Sequence, residues 1–154
     1  MAPSSPHIAV VGAGRASTEE TDAAEAVGRG LAEAGAVVVC GGLGGVMEAA
    51  CRGAKSAGGT TVGILPGDDR ADANEHVDVA LATGLGEARN ALVVRAADAL
   101  VAIGGEYGTL SEIALALKVG KPVVGVESWD LDAIERADSP EDAVRRALER
   151  ARAG

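Results

Sequence analysis

The sequence predicts an α/β protein of the Rossmann-like, doubly wound kind, a largely parallel sheet with helices on both faces. Three observations predict it. Short β-branched apolar runs alternate with helix-length stretches along the whole chain, the order that builds βαβ units. Most runs are continuously apolar rather than alternating, as strands covered on both faces are. Glycines gather at the carboxyl ends of three runs, each followed by a helix.

The expected elements follow in order. Residues 1–6 are expected to be a flexible tail ahead of a first strand over Ile8–Val11. A helix over 18–34 starts at a capping box, Ser17 with Glu20, and stops at Gly35, because glycine takes the left-handed conformation that ends helices. Val37–Cys40 gives the second strand and 44–57 the second helix, closed by Gly58-Gly59 before a third strand, Thr60–Leu65. The polar, acidic segment Pro66–Asn74 has no periodicity and is either a lid or a solvated connection. Strands over Val77–Ala82, Ala99–Ile103 and Pro122–Val126 alternate with helices near 87–97 and 109–119. The last helix, 139–152, opens on Ser139-Pro140-Glu141-Asp142, a cap, a first-turn proline and acids at the positive end of the dipole. With no repeat or linker visible, residues 1–154 form one nucleotide- or cofactor-binding domain.

Composition narrows the function. The 154 residues carry 14 basic and 23 acidic side chains, a net charge of -9, which opposes binding to nucleic acid or anionic membranes. There is no phenylalanine, one tyrosine and one tryptophan. Base recognition by rows of stacking aromatics is therefore excluded, and a base pocket would be aliphatic. Cys40 and Cys51 match neither a CxxC pair nor a disulfide framework, and the opening residues lack the h-region of a signal peptide, so a reduced, cytoplasmic setting is expected. His7 and His76 have no partners at metal-ligand spacing, so no metal site is expected. Glu48 is spaced to pair with Arg52, and Glu141 and Asp142 with Arg145 and Arg146.

The glycine loops are the candidate site. They are Gly12-Ala13-Gly14, then Gly41-Gly42-Leu43-Gly44-Gly45, then Gly104-Gly105-Glu106-Tyr107-Gly108-Thr109. At the carboxyl edge of a parallel sheet, helix N-termini present free N–H groups to an anion, and glycine lets a phosphate approach the backbone. Neither a dinucleotide fingerprint nor a GxxxxGK[ST] loop is present, which argues against a dehydrogenase or an ATPase. Thr109 and Glu112 are spaced as a capping box or as part of a site. Leu110, Ile113, Ala114 and Leu117 are expected on one apolar face of their helix, and Leu115, Ala116 and Val119 on a second. Glu112 is expected beside the latter, partly buried and hence a candidate acid, base or ribose ligand. Arg89, a cation in a helix's first turn against the dipole, is either a site residue or a solvated one.

These residues resemble a known family. Gly104–Glu112 looks like the GGxxGTxxE signature of the "possible lysine decarboxylase" superfamily, which includes the Lonely Guy (LOG) nucleotide phosphoribohydrolases and the molybdenum cofactor carrier proteins. Gly41–Glu48, Gly53–Thr60, Thr83–Asn90 and Ala114–Pro122 resemble the carrier branch, and the likeness runs over about residues 7–126. The resemblance implies a Rossmann-like fold and a homodimer or higher homo-oligomer, with the second apolar face as its contact. It also implies a phosphorylated ligand, the molybdenum cofactor or a nucleotide. In the hydrolases the glycine-threonine loop holds a 5′-phosphate, which falls here on Gly104, Gly105, Gly108 and Thr109. An arginine and a glutamate act at the ribose, and these fall on Arg89 and Glu112. Such cleavage requires no cofactor. The decarboxylase label does not fit, since none of Lys55, Lys118 and Lys121 stands where a pyridoxal phosphate Schiff base would be expected. Where the hydrolase pattern PGGxGTxxE has proline and its second glycine, this chain has Gly104 and Glu106. Two functions remain open, a carrier of a pterin- or nucleotide-like ligand and an N-glycosidic hydrolase.

Overall fold

The computed structural model describes residues 4–154. Its elements are β1 (His7–Gly12), α1 (Thr18–Glu33), β2 (Val37–Cys40), α2 (Val46–Ser56), β3 (Thr60–Leu65), β4 (Val79–Ala82), α3 (Arg89–Arg95), β5 (Ala99–Ile103), α4 (Tyr107–Lys118), β6 (Val123–Val126), β7 (Glu135–Arg136) and α5 (Pro140–Ala153). The strands form a single sheet in the order β4-β3-β2-β1-β5-β6-β7, and every neighbouring pair is parallel. The chain order reverses between β1 and β5, so the crevice at their carboxyl ends is where a doubly wound sheet binds ligands. The doubly wound α/β class is the one the alternating runs predict.

The unbroken apolar character of the strands has the expected cause. Ile8 and Val10 of β1 pack with α1, α2 and α5 on one face, and Ala9 and Val11 pack with α3 and α4 on the other. Both sets of side chains are buried, so neither is polar. Helices α1 and α2 cross closely enough that a Cβ on Gly28 would stand 2.0 Å from the Ala50 carbonyl oxygen, and one on Gly53 2.0 Å from that of Glu25. The Ser17 box forms in full: Ser17 Oγ accepts from the Glu20 N–H at 3.1 Å, and Glu20 accepts from the Ser17 N–H at 3.0 Å. Of the expected tail, residues 1–3 lie outside the described residues, and the Pro6 carbonyl accepts a hydrogen bond from the Val37 N–H at 2.9 Å.

Several details differ from expectation. β7 has no apolar run to announce it. It is a polar two-residue strand beside β6, and Glu135 within it receives Arg146 and Arg150 of α5. α4 begins at Tyr107, two residues before the expected start, so Thr109 is a buried residue of its first turn and not a cap, and the capping-box alternative falls. The expected faces of α4 are also out of register. Thr109, Glu112, Ile113 and Ala116 face the core together, while Ala114 and Val119 are exposed. Glu112 therefore sits in the buried face, because the sheet and not the helix's own pattern chooses which stripe is covered. Arg52 pairs with Glu25 of the neighbouring helix at 3.5 Å instead of Glu48, and Arg145 and Arg146 both pair with Asp142. The 66–74 segment holds a 3-10 turn, Arg70–Asp72, capped by Asp69.

Candidate functional site

Three loops meet over the crevice between β1 and β5. The first, after Gly12, has no room for a side chain at that residue, since a Cβ would press on Val46 at 2.7 Å. The second ends at Gly45, the N-cap of α2, whose φ of 65° suits glycine and whose Cβ would collide with the Ala13 carbonyl at 2.3 Å. The two loops thus lie back to back, joined by the Val46 N–H to the Ala13 carbonyl at 3.1 Å. The third begins at Gly104, where φ is 52° and a Cβ would land 1.8 Å from Glu20 Oε2. The positive φ favours glycine there, and the Glu20 carboxylate, held in the α1 cap, crowds the same space.

Not all three helix starts are open. Ser17 and Glu20 cap α1, satisfying two of its N-terminal donors between them, whereas the N-caps of α2 and α4, Gly45 and Glu106, make no side-chain capping bond. Two of the three N-termini, those of α2 and α4, are therefore left without a side-chain cap to compete with an anion.

The loops enclose a cavity of about 170 Å³ lined by Gly12, Ala13, Gly14, Met47, Arg89, Asn90, Glu106, Gly108, Thr109 and Glu112. Six of the expected residues, Gly12, Gly14, Arg89, Gly108, Thr109 and Glu112, come together in its wall. The others stand behind it. A Cβ on Gly41 would touch the Arg89 guanidinium at 2.7 Å and Met47 Sδ at 2.8 Å, so this glycine makes space for the arginine. Gly42 accepts from the backbone N–H of Asn74 at 2.9 Å, and the Asn74 amide donates to the Leu43 carbonyl at 2.8 Å, fastening the 66–74 segment to this loop. Gly44 and Gly45 shape the turn into α2, and Gly104 and Gly105 the turn into α4.

Electrostatics single out two groups. Arg89 donates from Nη1 to Asn90 Oδ1, while its Nε is buried and has no hydrogen-bond partner. A buried donor left unsatisfied is costly, and the guanidinium brings a positive charge to the cavity wall. Glu112 is 7% exposed. Burial pushes its carboxyl up to about 7, against the pull of the Arg89 charge. Near neutral pH it is therefore close to half protonated. Behind the second loop Cys40 and Cys51 are free thiols with Sγ atoms 3.5 Å apart. Hydrogen bonds from Cys51 and the Gly42 N–H pull the Cys40 thiol down, and donation plus burial push Cys51 up.

Sequence reasoning missed Asn90 and Met47. Asn90 is buried, holds Arg89, and donates to Ser111 Oγ at 3.4 Å. An amide directly after a candidate arginine was the available signal. Glu106, the departure from the hydrolase pattern, is exposed yet borders the cavity.

A model of the SLOG cluster4 family matches residues 5–152. The chain belongs to this family. It is 46% identical over 138 residues to an uncharacterised protein of Archaeoglobus fulgidus, covering 89% of this chain and 91% of that one. Its fold matches the molybdenum cofactor binding protein of Rippkaea orientalis with a TM-score of 0.90 and 37% identity, over 96% of this chain and 98% of that one. The molybdenum cofactor carrier protein of Chlamydomonas reinhardtii matches with a TM-score of 0.87 and 34% identity, over 98% and 100%. The family resemblance seen in the motifs thus holds over nearly the whole chain. No helix among the described residues is long and apolar enough to cross a membrane.

Proposed function

We propose that this SLOG-family chain is a carrier that holds a phosphorylated pterin- or nucleotide-like ligand, of the molybdenum cofactor type, at the N-terminus of α4. The observation that carries the reading is the convergence of the Arg89 charge, the uncapped α4 N-terminus and the Thr109 hydroxyl on the wall of one cavity. A phosphate would accept from Arg89 and from the first N–H groups of α4, and would lie along the helix dipole. The close fold match to two molybdenum cofactor proteins supports the ligand class. The cofactor is here the cargo, and the chain's residues have only to bind it and shield it from water. Polyanionic partners remain disfavoured by the net charge of -9. A homodimer belongs to this reading, supported by the exposed Leu85, Leu92 and Val119 around α3 and α4.

One observation favours the hydrolase alternative. A carboxyl poised near pH 7 under the ribose position suits general acid or base work at an N-glycosidic bond and could steady oxocarbenium character. The two are separated by incubating the chain and Glu112→Gln with nucleoside 5′-monophosphates and following free base by chromatography. Ligand bound and recovered intact supports the carrier. Base release that vanishes in Glu112→Gln overturns it in favour of the hydrolase.

A further inference from the structure

The chain contains no phenylalanine, a single tyrosine and a single tryptophan. Folding brings those two together. The rings of Tyr107 and Trp129 stack with centroids 6.2 Å apart and planes 30° from parallel. Tyr107 is the first residue of α4, next to Gly108 of the cavity wall, and is 82% exposed. An aromatic side chain left this open forgoes most of the burial that normally places it. Trp129 is fixed from behind: its Nε1 donates to the Glu106 carbonyl at 3.3 Å, and Ser128 Oγ donates to the Gly104 carbonyl at 2.6 Å. The pair is thus anchored to the loop that forms the phosphate cradle. Tyr107 stands beside Trp129 with most of its ring open to solvent.

Size points the same way. The cradle cavity, about 170 Å³, is smaller than the roughly 300 Å³ at which small-molecule sites begin. It has room for a phosphate and part of a sugar, not for a fused ring as well. A second cavity of about 530 Å³ adjoins it, sharing Asn90 and Gly108, and Tyr107 stands in its wall. A ligand with its phosphate in the first cavity leads its ring past the shared wall to Tyr107.

We propose that Tyr107, backed by Trp129, is the stacking platform for the planar heterocycle of the ligand whose phosphate occupies the cradle; this rests on the anion-cradle reading above. The platform binds the ring by its π-face and so accepts pterin and purine alike, leaving the choice between them to edge contacts.

The test uses the full chain and two probes. GMP carries a phosphate and a guanine, whose 2-amino-4-oxopyrimidine ring is that of a pterin; ribose 5-phosphate carries the same phosphate without a ring. Binding is followed by calorimetry and by the emission of Trp129, the chain's one tryptophan. GMP should quench Trp129, and ribose 5-phosphate should bind without doing so. Tyr107→Ala should weaken GMP about tenfold, within what base–aromatic stacking supplies, while leaving ribose 5-phosphate and the sedimentation mass unchanged. Tyr107→Phe should keep the GMP affinity. Equal GMP affinity in Tyr107→Ala, equal weakening of both probes, or a change in mass overturns the platform alone. Failure of the wild type to bind either probe overturns the cradle, and the platform with it.

Discussion

Replacing Glu112 by glutamine should stabilise the protein, and by an amount that depends on pH. The carboxyl is buried on the core face of α4, and its pKa rises from an ordinary 4.5 to about 7 because burial penalises the carboxylate more than Arg89 favours it. Between those two values the folded chain binds more protons than the unfolded one, so stability falls as pH rises through the window and levels off above 7. At about 1.4 kcal/mol for each pKa unit, the full loss is about 3.5 kcal/mol. Glutamine matches the shape of the protonated acid and never ionises. The two proteins should therefore be nearly equal at pH 4 and differ by about 3.5 kcal/mol in favour of Glu112→Gln at pH 8. Urea unfolding followed by Trp129 fluorescence across this range measures the difference directly. A difference that stays constant from pH 4 to pH 8 would refute the reasoning, since it would mean that Glu112 titrates as freely folded as unfolded. The same linkage reaches the ligand. Sulfate, whose charge does not change in this window, should bind more weakly above pH 7, where the carboxylate repels it, and Glu112→Gln should remove that dependence.

Three other outcomes follow from the geometry. Arg89→Gln should weaken sulfate about tenfold or more, since it removes the charged, unpartnered donor in the cavity wall; calorimetry that finds the affinity intact would take Arg89 out of the site. Gly28→Ala should cost about 3 kcal/mol in urea unfolding, at the upper end for overpacking, because its Cβ meets the backbone oxygen of Ala50 at 2.0 Å and neither helix can yield alone; a cost below about 1 kcal/mol would show that α1 and α2 separate freely. Ser17→Ala should cost about 1 kcal/mol through the lost cap, and by freeing Glu20 it should also loosen the Gly104 turn, read as weaker sulfate binding.

What the sequence disclosed and what it hid divide along a physical line. The strand cores, the Ser17 and Ser139 caps and the glycine turns are local: each depends on residues within a few positions of one another, and each stands where the pattern put it. The six candidate residues that share the cavity were visible because a parallel sheet delivers all its strand ends to one edge. The misjudged features are set by contacts across the fold. Arg52 chose Glu25 of another helix over Glu48 on its own. The buried stripe of α4 was chosen by the sheet, and β7 pairs with β6 far from any apolar run of its own, with Glu135 linked to Arg146 and Arg150 of α5. The meeting of Tyr107 and Trp129 depends on where the loop after β6 folds back over the start of α4, which no periodicity in either segment records.

The charge on Glu112 also bears on which function the site can perform. A carrier must hold an anion without provoking its chemistry, and a carboxyl that keeps its proton near pH 7 adds little repulsion to a phosphate beside it. Ligand binding reinforces this, because a phosphate in the cavity disfavours the carboxylate further and raises the pKa above its ligand-free value. For hydrolysis the same shift works against a base and for an acid: the bound complex would have Glu112 protonated just when a water needs activating. Glu106 adds to the contrast. It stands exposed at the cavity's edge, where the hydrolase pattern has a glycine, and contributes negative charge near the phosphate. Removing it should therefore tighten anion binding in either function. Only in the hydrolase should Glu106→Gly combined with intact Glu112 also quicken base release, so a double measurement of affinity and turnover on that variant separates a site tuned to hold from one hindered in cutting. Tighter sulfate binding with turnover still absent would place the chain with the carriers, and turnover appearing in Glu106→Gly would show that one side chain at the mouth of α4 divides the two chemistries.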